Sequence, residues 1–145
     1  MSLDNLVGIS LDRVTPDAVA IGRLLAAARR NLADTQVAAI SAENRFDAAY
    51  KAIMQLANAA LQANGYRTLT SKPGHHMTMI QTLGQTVGLA RETIITLDTL
   101  RKQRNVADYS GDIVPPVAVE ACVAQALQQE VIRWLKQHKP ELLEQ

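Results

Sequence analysis

Residues 104–109 read Arg-Asn-Val-Ala-Asp-Tyr and bring a guanidinium, an amide, a carboxylate and a phenol together at the end of one helical pattern. The apolar stripe of that helix is Ile94, Leu97 and Leu100, so Arg104 stands where the pattern would otherwise continue with Leu or Ile. An arginine on a core-facing stripe has to be paired or put to use. Pairing with Asp108 one turn later is worth a few tenths of a kcal/mol at an exposed position and serves mainly to specify the fold if buried. The other outcome is a functional site, since charges held in unusual surroundings mark such sites often enough to be worth following.

Two histidines enlarge the set. His75 and His76 open a helical segment that precedes the Arg104 helix, and a short connection would make the two an antiparallel hairpin. Hairpin geometry pairs positions whose numbers sum to roughly 178–180, which brings His75 and His76 close to Arg104. Imidazole, guanidinium, amide, carboxylate and phenol would then form one cluster. Metal-free RNA cleavage needs a base for the 2′-hydroxyl, an acid for the leaving oxygen and a cation for the phosphorane charge, roles these groups can fill. The plainer alternative is that the histidines only end a helix and meet Arg104 through solvent.

Other chemistries find no support. Di-metal helical bundles use Glu-x-x-His pairs, and none of His75, His76 and His138 has a glutamate three residues before it. Adjacent histidines on a helix diverge by about 100° and chelate poorly. Phosphate-loop, dinucleotide and zinc-protease motifs are absent from the sequence. No metal and no cofactor are expected.

The elements that position the cluster read as helices. Residues 1–14 form an arm able to lie along the body. Thr15-Pro16-Asp17 suits a helix start, and a stripe from Ile21 to Ile40 predicts a first helix over 16–40. A second runs from about 42–44 to the stop at Asn64-Gly65, with Phe46, Tyr50, Ile53, Leu56 and Leu61 on one broad face. A loop over 66–74 leads to a third helix from His75 through Val87, where Gly84 and Gly88 imply a bend or a close neighbour. A fourth covers 91–107, Ser110-Gly111-Asp112 turns the chain, and a fifth runs from Pro116 to about His138. The expected architecture is all-α, an antiparallel four-to-five-helix bundle in a single domain over 1–145 with its core at 16–138. Tyr50 reads as a core aromatic whose hydroxyl finds one partner and which can reach the polar cluster. Trp134 reads equally as packing or as a dimer surface.

Composition agrees. The 145 residues are 48% apolar but only 3% aromatic, which favours closely packed helices over a sheet. A formal charge of +1 is too small for tight, indiscriminate binding to nucleic acid, so any phosphate contact must be local. Cys122 cannot form an internal disulfide and reads as a small buried hydrophobe. With no signal-like amino terminus and no run approaching about 18 apolar residues, the expectation is a soluble cytoplasmic protein without membrane association.

The chain resembles the HEPN superfamily of helical-bundle proteins. The resemblance rests on 45–52, Arg-Phe-Asp-Ala-Ala-Tyr-Lys-Ala, on Gly74-His75-His76, and on 100–109, Leu-Arg-Lys-Gln-Arg-Asn-Val-Ala-Asp-Tyr, in that order and spacing across 16–138. Nucleases of that superfamily carry an arginine, a polar neighbour and a histidine four to six positions on. They act without metal, usually as homodimers, and many are toxins paired with a small nucleotidyltransferase that serves as antitoxin. The resemblance makes Arg104 the phosphate-contacting arginine and Asn105 its neighbour, but Tyr109 stands where the histidine belongs. A phenol with a pKa of about 10 is a poor base at neutral pH.

The favoured expectation is therefore a nucleotide- or RNA-binding module, a non-catalytic component of a toxin–antitoxin or nucleotidyltransferase-associated system. Arg101, Lys102, Arg104 and Asp108 would line its binding surface, and a homodimer is implied. The alternative is an active metal-independent ribonuclease using Arg104, Asn105 and Tyr109, with His75 or His76 replacing the missing histidine. A structural homodimer with no ligand is a third possibility.

Overall fold

The computed structural model describes residues 3–71, 73–110 and 117–143, with the side chains of 106–110 and 117–120 left out of the description. The protein is mostly helical. A 3-10 turn at Leu3–Leu6 precedes strand β1 (Leu11–Arg13), helices α1 (Ala18–Asp34) and α2 (Ala42–Ala63), and strand β2 (Tyr66–Thr68). Helices α3 (His75–Gln81), α4 (Leu83–Thr86), α5 (Arg91–Ser110) and α6 (Val117–His138) follow, then a 3-10 turn at Pro140–Leu142.

Helix α2 is the centre. It packs on α1, α6, α3, α4, α5 and β2, and Phe46, Tyr50, Ile53, Leu56 and Leu61 are all buried along it. Seven of its alanines are also buried, which lets neighbouring backbones approach on several sides. Its start is fixed by Ser41, whose hydroxyl accepts the Asn44 N–H at 3.2 Å. Its end is fixed by Gly65, whose φ of +90° is the left-handed stop expected of Asn64-Gly65.

Several boundaries move. Helix α1 is capped by Asp17, which accepts the Val19 N–H at 3.0 Å, so it starts later than Thr15-Pro16 implies. It also ends at Asp34 rather than continuing to Ile40. There the Thr35 hydroxyl donates to the Leu32 carbonyl, a carboxylate faces the negative end of the helix dipole, and Val37 is left exposed. The expected third helix is two, broken at Thr82, whose hydroxyl donates to the Thr78 carbonyl at 2.8 Å. Gly84 does admit a close neighbour: a Cβ there would stand 3.4 Å from Ile94 Cδ1 of α5.

The all-α expectation needs one correction. β1 and β2 form a two-stranded antiparallel ribbon with Leu11 opposite Thr68 and Arg13 opposite Tyr66. Leu11 is fully buried, so the amino-terminal arm is anchored in the core rather than laid along it. Cys122 is also corrected: its thiol is exposed, because Ala124, Leu127 and Val131 take the buried face of α6. Trp134 is partly buried against the core and stacks on His138 at 4.8 Å.

Candidate functional site

Three helices meet around Tyr50. From α2 come Asp47 and Tyr50, one turn apart on the same side. From the start of α3 come His75 and His76, delivered by Gly74 in the left-handed conformation at φ +81°. From α5 come Asp98, Arg101 and Arg104, at the end of the stripe whose Leu97 and Leu100 are buried as the spacing requires. The contact of α3 with α5 makes the hairpin real, and the approach of Gly84 to Ile94 obeys its arithmetic.

Tyr50 is the element that joins the parts. Its side chain is buried, its hydroxyl meets His76 Nδ1 at 3.2 Å, and the Arg104 guanidinium carbon lies 4.8 Å from its ring centroid. Arg104 is thus supported on one side by an aromatic face, a contact worth about 0.5–2 kcal/mol depending on desolvation. Its Nε is 3.8 Å from Asp47 Oδ1, and 28% of the side chain remains exposed. The pairing of Arg104 with Asp108 expected from sequence falls on a side chain outside the described set, as does the position of Tyr109. Asn105 is exposed beside Arg104 on α5.

The two imidazoles pack edge to face, with centroids 4.6 Å apart. Burial lowers the His76 pKa, and the nearby charges of His75, Arg104 and Arg101 lower it further. The neutral form of His76 is therefore favoured more than that of an isolated imidazole, whose pKa is about 6.5.

Asp98 gathers the remaining cations. Its Oδ1 accepts from Arg101 Nε at 2.9 Å and its Oδ2 lies 3.4 Å from Lys102 Nζ. Burial alone would raise this carboxyl, but the hydrogen bond and charge of Arg101, reinforced by Lys102, outweigh it and hold the group below the usual carboxylate range. Arg101 is largely buried and Lys102 largely exposed, so the two present different surfaces.

Asp47 and Asp98 are additions that the structure makes to the residues expected from sequence. The signals were there: Asp47 is three residues before Tyr50 on one helix, and Asp98 stands three and four before Arg101 and Lys102. Among the described residues no group of three or more His, Cys, Asp or Glu side chains is arranged to hold a metal, and no helix is long and apolar enough to cross a membrane.

Fold and site together define a mostly helical protein with an aromatic-backed cationic cluster. Comparison of the chain with protein-family models, with curated proteins and with solved structures gives no match.

Proposed function

We propose that this protein is a HEPN-like helical bundle whose Tyr50, His76 and Arg104 cluster binds a phosphate group of RNA or a nucleotide. The observation that carries the reading is the seating of Arg104: a guanidinium fixed by a ring at 4.8 Å and a carboxylate at 3.8 Å, yet still partly exposed. A guanidinium held in this way and still partly exposed meets a phosphate with little conformational entropy left to lose. Lys102, reaching solvent from the same face of Asp98, adds a second contact to an extended backbone. In this reading the homodimer and the nucleotidyltransferase-type partner are those implied by the resemblance, and the protein serves as the binding component of such a pair.

One observation favours a second reading, that of a metal-independent ribonuclease. The surroundings of His76 favour its neutral form, and in the tautomer whose Nδ1–H donates to the Tyr50 oxygen its Nε2 carries the lone pair of a general base. Binding and cleavage of a mixed-sequence RNA in excess chelator separate the two. Wild-type binding without cleavage, lost in Arg104→Ala, supports the binding module; cleavage lost in both Arg104→Ala and His76→Gln supports the nuclease. RNA binding unchanged in Arg104→Ala would refute both.

A further inference from the structure

Arg45 stands apart from the other half-buried arginines. Arg101 is matched by Asp98 and Arg104 by Asp47, whereas no described carboxylate lies within ion-pair distance of Arg45. What holds it is the backbone: its Nε donates to the Ile40 carbonyl at 3.1 Å. With Nε occupied, the two terminal nitrogens form the donor fork that matches a carboxylate.

The side chain lines a groove of about 450 Å³ between the end of α1, the start of α2 and α6. That size lies within the range of about 300–1000 Å³ common for small-molecule sites. Leu32, Ala38 and Ala121 supply apolar wall, and Gln36 and Gln125 supply amides. Gln36 is oriented by donating through Nε2 to the hydroxyl of buried Thr35 at 3.2 Å. Among the described residues lining the groove, Arg45 is the one that carries a charge. A dianionic phosphate would call for a second cation, whereas a single guanidinium beside apolar wall fits one negative charge attached to an apolar body.

We propose that this groove is a second ligand site, separate from the Arg104 cluster, and that it takes a small organic carboxylate with an apolar body. The carboxylate pairs with the Arg45 fork, the amides of Gln36 and Gln125 complete its hydrogen bonds, and the apolar part rests on Leu32, Ala38 and Ala121.

Cys122 provides the readout, because its exposed thiol lines the same groove and it is the chain's single cysteine. The test is the rate of alkylation by uncharged iodoacetamide in the intact protein, with benzoate as the probe and benzamide as its neutral counterpart. Benzoate should slow the reaction to a saturating plateau and benzamide should not. The protection should disappear in Arg45→Gln and persist in Arg104→Ala. Should Arg45→Gln fail to fold, the exposed substitution Gln125→Glu, which sets a carboxylate against Arg45, should abolish protection instead. Absence of saturable protection, equal protection by benzamide, or protection that survives Gln125→Glu would overturn the proposal.

Discussion

Arg104 and Arg45 are both half-buried beside the first turns of α2, and the helix treats them in opposite ways. Asp47 and Tyr50 lie about 60° apart around the helix axis and receive Arg104, while Arg45 leaves the helix about 160° from Asp47. One arginine has a carboxylate and an aromatic face; the other has a single carbonyl. A cation whose charge is already balanced is fixed in place and adds direction to a ligand contact. A cation that among the described residues meets only a carbonyl dipole keeps more of its charge for whatever enters the groove. Under the proposed function, Arg104 makes a positioned contact on an extended phosphate backbone, and under the further proposal Arg45 serves a self-contained anion pocket.

The largest expected effect that breaks this comparison is Arg104→Ala. Removing a charged hydrogen-bonding partner of about 1.5–3 kcal/mol should weaken RNA binding by roughly 10- to 150-fold, while Arg45→Gln should leave it unchanged, both measured by fluorescence anisotropy at fixed salt. Next is Tyr50→Phe, which keeps the ring beneath Arg104 and removes the hydroxyl against His76. Its cost should be about 1 kcal/mol of stability, read by chemical denaturation, with RNA affinity changed far less than in Arg104→Ala.

A pH effect follows from His76. Its folded pKa is lowered, so the unfolded chain binds the proton more readily and the group penalises the folded state at acid pH. That contribution is absent well above the ordinary imidazole value of about 6.5 and grows as pH falls toward the lower folded value. Thermal midpoints should fall over that interval in wild type and fall less in His76→Gln. A smaller effect is expected from Asp47→Asn, which releases the charge of Arg104 and should strengthen RNA binding by a few-fold at low salt. The smallest concerns the β ribbon, where Arg13–Asp4 and Arg67–Asp12 are exposed pairs at 3.1 and 3.3 Å. Replacing Asp12 by Asn should leave both RNA binding and the thermal midpoint unchanged within error.

Much of the frame was legible in the sequence because its periodicity is long. Apolar spacing sustained from Phe46 to Leu61 defines α2, and the stripe ending in Arg104 correctly anticipates buried Leu97 and Leu100. Hairpin arithmetic was enough to bring α3 beside α5. The rest depended on features with little periodic signal. Strands of three residues, Leu11–Arg13 and Tyr66–Thr68, are too short to show alternation. The end of α1 was set by a Thr35 hydroxyl bond that an apolar count up to Ile40 does not see. Tyr50 is legible in part: its stripe position gives burial, one hydroxyl partner and reach to the polar cluster, while only tertiary packing shows that the partner is His76 and that the ring face carries Arg104. The exposure of Cys122 is not legible because an apolar run along α6 does not by itself tell which side of the helix is covered.

The central claim is that a phosphate enters beside Arg104 and His76, and the most direct measurement is the NMR titration of the His76 imidazole with and without a short mixed-sequence RNA. A bound phosphate favours the protonated ring, so the account predicts a His76 pKa below the ordinary value in the free protein, raised on addition of RNA, with no RNA-dependent rise in Arg104→Ala. A His76 titration that RNA leaves unmoved while RNA is demonstrably bound would place the ligand elsewhere and contradict it.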